Sequence, residues 1–248
     1  MLYGCICHDP MEPDTHASAT QTSTPGQNQS DARTHRAGRV SAVTVEAIQA
    51  LLDASHLKIL GGFHPTSKDR VPCPSRTVLL LGPKGADFWA FFVAEPEWQD
   101  GKPDPMDRWS MRVIDGIAED LGGRAIFPFG GPPFLPFFSW ALRTGRVHRS
   151  PVQLLVHDTE GLMISFRGAL ALPEHLELAD APPNPCASCA EKPCLSSCPV
   201  DALGQTYDVA SCKSFLDKPQ GSDCMDAGCL ARRACPHSRH SSRLAAQS

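Results

Sequence analysis

Eight cysteines fall between Cys186 and Cys235, and any fold of this chain must accommodate them. They are Cys186, Cys189, Cys194, Cys198, Cys212, Cys224, Cys229 and Cys235, whereas Cys5, Cys7 and Cys73 are scattered over the earlier residues. Thiols this dense form disulfides in oxidising compartments or hold metal in reducing ones. The start, Met1-Leu2-Tyr3-Gly4-Cys5, lacks a basic stretch followed by an apolar one, and it carries no twin arginine. No secretory signal is therefore expected. No apolar run approaches the roughly 20 residues of a membrane-spanning helix. The expected compartment is cytoplasmic, and in that compartment the thiols point to metal.

The first four cysteines read C-x2-C-x4-C-x3-C-P and end at Cys198-Pro199. The second four are looser and end at Cys235-Pro236. A cubane iron–sulfur cluster needs four thiolates at one site, three from a close run and one from elsewhere. In bacterial ferredoxins the run is C-x2-C-x2-C-x3-C-P, and the cysteine before proline serves the other cluster of a pair. Ala190-Glu191-Lys192-Pro193 lengthens the middle gap here, which a loop can absorb. Because both sets end in Cys-Pro, crossed ligation of two [4Fe–4S] clusters is expected. Cluster one takes Cys186, Cys189, Cys194 and Cys235; cluster two takes Cys198, Cys212, Cys224 and Cys229. Zinc is the rival, since four thiolates also make a tetrahedral zinc site. Structural zinc sites usually pair two short knuckles, and only Cys186-Ala187-Ser188-Cys189 is one. His237 and His240 are expected to be solvated. Cys5-Ile6-Cys7-His8 is read as a flexible segment with incidental thiols, because isolated ligands there are poorly preorganised.

Three parts follow along the chain. Residues 1–38, rich in Thr, Ser, Gln, Pro, Asp and His, read as a disordered tail; an over-long start would look the same. Residues 39–180 read as an α+β domain. Thr44 caps a helix with Val45, Ile48, Leu51 and Leu52 on one stripe. Thr77 to Leu81 suits a buried strand, and Ala86 to Val93 a helix. Asp104-Pro105 starts the clearest helix, with Met106, Trp109, Val113 and Ile117 as its apolar stripe, and Gly122-Gly123 ends it. A strand from Arg124 to Phe129 comes next. Val152–Val156 and Leu162–Leu170 read as a strand pair joined at Asp158-Thr159-Glu160-Gly161. The stiff linker Ala181-Pro182-Pro183-Asn184-Pro185 marks a boundary before the module 186–240.

With these elements in order, residues from about 76 to 235 resemble the epoxyqueuosine reductases. The resemblance rests on the strand at Val78, the long helix after Pro105, the strand into Phe129, the helix through Trp140 and the hairpin ending at Leu172. It also rests on the cysteine order, with a lone Cys212 shortly after the first Cys-Pro. It implies a nitroreductase-like α+β sandwich that binds cobalamin, followed by a two-cluster ferredoxin-like module that reduces the corrinoid. Two departures matter. Where that family carries an Asp proposed as proton donor, this chain reads Phe129-Gly130-Gly131-Pro132-Pro133. No counterpart of the family's C-terminal repeats for transfer RNA is expected. Epoxyqueuosine reduction itself is therefore not expected, and no catalytic residue is assigned.

The net charge of −4 gives no global pull towards nucleic acid or anionic lipid. Gly82-Pro83-Lys84-Gly85 lacks the full phosphate-loop spacing. The aromatic segment Phe129–Trp140 reads as a core helix with its leading loop, or as an apolar wall for a macrocycle with Gly130 and Gly131 allowing close approach. Arg143, Arg146, His148 and Arg149 read as a solvated basic run, and His157 and Arg167 as structural residues, with cobalt ligation the functional alternative for His157. The leading expectation is an iron–sulfur electron-transfer protein serving a corrinoid, bound by its own domain or by a redox partner. A corrinoid-dependent reductase of a small substrate and a zinc-stabilised interaction module are the alternatives.

Overall fold

Val78, Leu79, Leu80 and Leu81 alternate between the two faces of one strand, and both faces are buried. Leu79 and Leu81 join one core, and Val78 and Leu80 join another. With no face left for polar residues, the sequence shows an unbroken apolar run. This strand, β2 (Thr77–Pro83), lies inside a four-stranded sheet with β1 (Leu57–Phe63), β3 (Arg124–Ile126) and β6 (Gly168–Leu172), in the order β1-β2-β6-β3. Every neighbouring pair is antiparallel. The protein is described here from a computed structural model, over residues 43–241. The segment 1–38, with Cys5 and Cys7, lies outside the described residues.

One face of the sheet is covered by α1 (Val45–Asp53), α2 (Asp87–Phe92) and α4 (Pro105–Asp120), with α3 (Pro96–Gln99) packed on α4. Ile48, Leu52, Phe88, Phe92, Trp109 and Ile114 fill that side, with Phe88 edge-on to Trp109 at 5.4 Å. Arg112 clamps α3 to α4 through both Glu97 oxygens. The other face is covered by α5 (Phe137–Arg143) and by a two-stranded sheet of β4 (Val147–Arg149) and β5 (Leu155–His157). Trp140 is fully buried there and donates its indole N–H to the Asp69 carbonyl at 2.7 Å. The fold is α+β. From Val43 onward the described residues form one compact unit, and none of its helices is long and apolar enough to cross a membrane.

Several local expectations need correction. Thr44 does cap α1, accepting from the Ala47 amide at 3.2 Å, but Leu51 is exposed because only Ile48 and Leu52 face the core. Asp104 sits at the N-cap of α4 in a left-handed conformation, and its side chain makes no cap bond. The buried stripe of α4 is Trp109, Ser110, Ile114 and Ala118. Met106, Val113 and Ile117 flank it, half-buried. Ser110 returns its hydroxyl to the Met106 carbonyl, and with Ala118 it lets α4 approach the sheet closely. β3 stops at Ile126, short of Phe129. β1 gave no strand signal because Gly61-Gly62 interrupts its apolar pattern and its register shifts between Ile59 and Gly61.

The expected strand pair joined at Asp158–Gly161 shrinks to a single antiparallel bridge between His157 and Gly161. β5 pairs back with β4, while Gly168–Leu172 leaves for the other sheet and inserts between β2 and β3. A turn at Ser150–Leu154, with Gln153 at φ 61°, makes the β4–β5 pairing local. The basic run is not simply solvated either. Arg146 grips Asp158 with two bonds, Arg143 pairs with Asp69, and Arg149 stacks over Phe138 at 4.6 Å. Opposite charges and aromatic rings brought close by the fold take up these guanidiniums.

Candidate functional site

The cysteine-rich segment is built from short turns and three small helices, α6 (Val209–Leu216), α7 (Ser222–Ala227) and α8 (Leu230–Ala234). Proline opens most of the turns: Pro185–Ala187 carries Cys186 and Pro193–Leu195 carries Cys194. Proline pre-sets the turn dihedral and has no N–H to leave unpaired. Asn184 accepts from the Cys186 amide at 2.9 Å and fixes the first turn. Cys212 lies within α6, Cys224 within α7, Cys229 just before α8 and Cys235 just after it.

Two separate hollows take the eight thiols. Cys186, Cys189, Cys194 and Cys235 line one, against Val156 and Leu162 from the β5 region. Cys198, Cys212, Cys224 and Cys229 line the other, with Leu154, Met163 and Phe215. The division matches the crossed quartets read from the two Cys-Pro endings. The first hollow is tight, about 10 Å³, so seating anything larger than a water requires its thiols to swing outward. The second holds about 320 Å³. Among the described residues, no three His, Cys, Asp or Glu side chains form a group that would hold a single metal ion.

Electrostatics give a second measure of proximity. Burial, then the neighbouring Cys235, Cys194 and Cys189, push the Cys186 thiol up to about 11. Cys194 is raised by burial and then by Cys235 and Cys189. Cys189, Cys194 and Cys235 thus lie near enough to act on Cys186. A buried thiolate is costly without a cation, so a positively charged core would release these protons on binding. Around the second quartet, the Ala202 amide and the Tyr207 hydroxyl donate to Cys198 and Cys212, both at 3.3 Å. The bond to Cys212 is the chief reason that Tyr207 is pushed up to about 12. Sequence reasoning missed both donors. The one available signal was Tyr207 standing five residues before a ligand candidate.

The segment is anchored to the β4–β5 unit. Val152, Val156 and Leu162 share a buried cluster with Cys194, Leu203, Ala231 and Cys235. Ser238 accepts from the Leu162 amide through its hydroxyl at 3.0 Å, and a Cβ on Gly161 would lie 2.3 Å from the Ser238 amide nitrogen. His237, expected to be solvated, lines the first hollow, because the turn Pro236–His240 folds back onto this seam.

His157 is fully buried and structural. Its Nε2–H donates to the Leu60 carbonyl at 2.8 Å, and Nδ1 accepts from the Thr159 and Glu160 amides. That pattern fixes the neutral ring. Burial holds its pKa below the ordinary value, outweighing Asp158 and Glu160, while Arg146 acts in the same direction as burial. The unfolded chain therefore takes up a proton before the folded one does. Stability is expected to be intact above about pH 6.5 and to fall as pH drops below it. Thermal melts across that range test this. His157→Gln should be less stable at neutral pH, by about 1–3 kcal/mol, with a flatter acid limb.

Against family models, curated proteins and solved structures, the chain finds no match.

Proposed function

We propose that the protein is an iron–sulfur electron-transfer protein carrying two [4Fe–4S] clusters, one held by Cys186, Cys189, Cys194 and Cys235 and the other by Cys198, Cys212, Cys224 and Cys229. The observation that carries this reading is the sharing of the eight thiols between two hollows as interleaved quartets. The donor set also fits. Soft thiolates select iron–sulfur clusters, copper(I) or zinc, and no carboxylate lines either hollow. When bound, the clusters supply one-electron chemistry. The chain's own part is to hold, space and tune them. The five-residue helix α8 rises about 7.5 Å and sets Cys229 and Cys235 at its two ends, spacing the sites. Ala202 and Tyr207 donate to the second quartet's sulfurs, which raises a potential, while Val152, Val156 and Leu162 keep water from the first.

In this reading residues 43–180 are the nitroreductase-like part and 186–240 the ferredoxin-like part. Support for the first is a sheet covered on both faces. The electron acceptor is a corrinoid or a redox partner protein. His157 has both ring nitrogens engaged within the protein, which favours a corrinoid that this residue does not ligate. The test is anaerobic purification and reconstitution, with iron and acid-labile sulfide counted. About eight of each per chain are expected for two cubanes. Stoichiometric zinc without sulfide would overturn the proposal in favour of a zinc-stabilised interaction module.

A further inference from the structure

A third cavity, of about 230 Å³, has no cysteine in its lining and is formed by Phe88, Met106, Met163, Ser165 and Arg167, with Glu160 on its wall. Its volume is below the roughly 300–1,000 Å³ of sites for drug-sized molecules, so its ligand is small. The Arg167 side chain is only 20% exposed. Its Nε donates to the Phe166 carbonyl at 3.1 Å, and Nη1 reaches Asp107 at 3.4 Å. Three of the five guanidinium N–H donors have no partner among the described residues. Asp107 is a distant counter-ion at 3.4 Å, and burial raises its own pKa against the pull of Arg167. The guanidinium is mostly buried and has one long ion pair, and a planar carboxylate would satisfy its open donors with two parallel bonds. The Glu160 carboxylate, held by Lys58, opposes a doubly charged phosphate. Phe88, Met106 and Met163 supply an apolar side for the rest of the ligand.

We propose that this cavity binds a small organic monocarboxylate, with the carboxylate on Arg167 and the apolar body against Phe88 and Met106. Binding stands on the cavity alone. Its link to electron transfer rests on the two-cluster reading, through Met163, which lines both this cavity and the second thiol hollow. Calorimetric titration of the full chain with benzoate, benzyl alcohol and phenyl phosphate tests it, and its readout does not depend on iron. Benzoate is expected to bind more tightly than either of the others by roughly tenfold or more. Arg167→Lys should lose about as much, because it keeps the charge but not the fork. Ser165→Asp guards against misfolding as the explanation: it supplies Arg167 with an internal carboxylate, so the melting temperature should hold while benzoate binding disappears. Absence of benzoate binding to the wild type, unchanged binding in Ser165→Asp, or tighter binding of phenyl phosphate would each overturn the inference.

Discussion

A Cys198→Ala/Cys212→Ala double variant is expected to keep about four irons per chain, and a Cys186→Ala/Cys198→Ala variant to keep none. The reasoning is combinatorial. If the quartets are crossed, Cys198 and Cys212 serve the same cluster, so removing both harms one site only. Cys186 and Cys198 then serve different clusters, and removing one from each destroys both. If the compact run Cys186–Cys198 instead held one cluster by itself, the outcomes would exchange. Single substitutions cannot separate these schemes, because either predicts the loss of one cluster. Iron and sulfide counts on the two double variants decide between them. The hollow lined by Cys198 together with Cys212, Cys224 and Cys229 underlies the expected direction.

Gly161→Ala is expected to unseat the C-terminal turn and to cost about 2–4 kcal/mol. The residue has φ 55°, where a side chain adds strain of about 1 kcal/mol. A Cβ there would also meet backbone, 2.3 Å from the Ser238 nitrogen and 2.6 Å from the His237 carbonyl carbon. Backbone cannot rotate away as a side chain can, so overpacking adds about 1–3 kcal/mol or displaces Pro236–His240. That turn begins at Cys235, whose carbonyl accepts from the Ser238 amide, so the first quartet moves with it. Iron content should therefore fall along with the melting temperature. Gly101→Ala is the control: φ is similar at 66°, and nothing lies within 4 Å of the added carbon. It should show the strain alone, about 1 kcal/mol, with iron unchanged.

The candidate sites were more legible in the sequence than the fold around them. Proline after Cys198 and Cys235 is a local mark, and the expectation of crossed pairing rests on it without knowledge of distant contacts. Helices α1, α2 and α4 were legible from apolar spacing and their flanking residues. The buried face of α4 was misread by one position because Ser110, a polar residue, sits fully buried with its hydroxyl turned back on the helix. The strands failed where pairing is non-local. Gly168–Leu172 chooses β2 and β3 as partners over the nearby β5, and nothing within its own residues encodes that choice. The Arg167 cavity was illegible for the same reason, since its walls come from segments as distant as Phe88 and Ser241.

The position of β6 also has a temporal meaning. It is the last strand of the central sheet and ends at Leu172, before Cys186. Domains fold from the N-terminal end as the chain leaves the ribosome, so both apolar faces of β2 can be closed before the first paired thiol emerges. The platform formed by Val156, Gly161 and Leu162 then already exists when Cys235 arrives to dock on it. Assembly of the thiol-bearing segment becomes a late step on a finished base, so on the two-cluster reading a newborn chain starved of iron would keep a folded body with its final segment waiting.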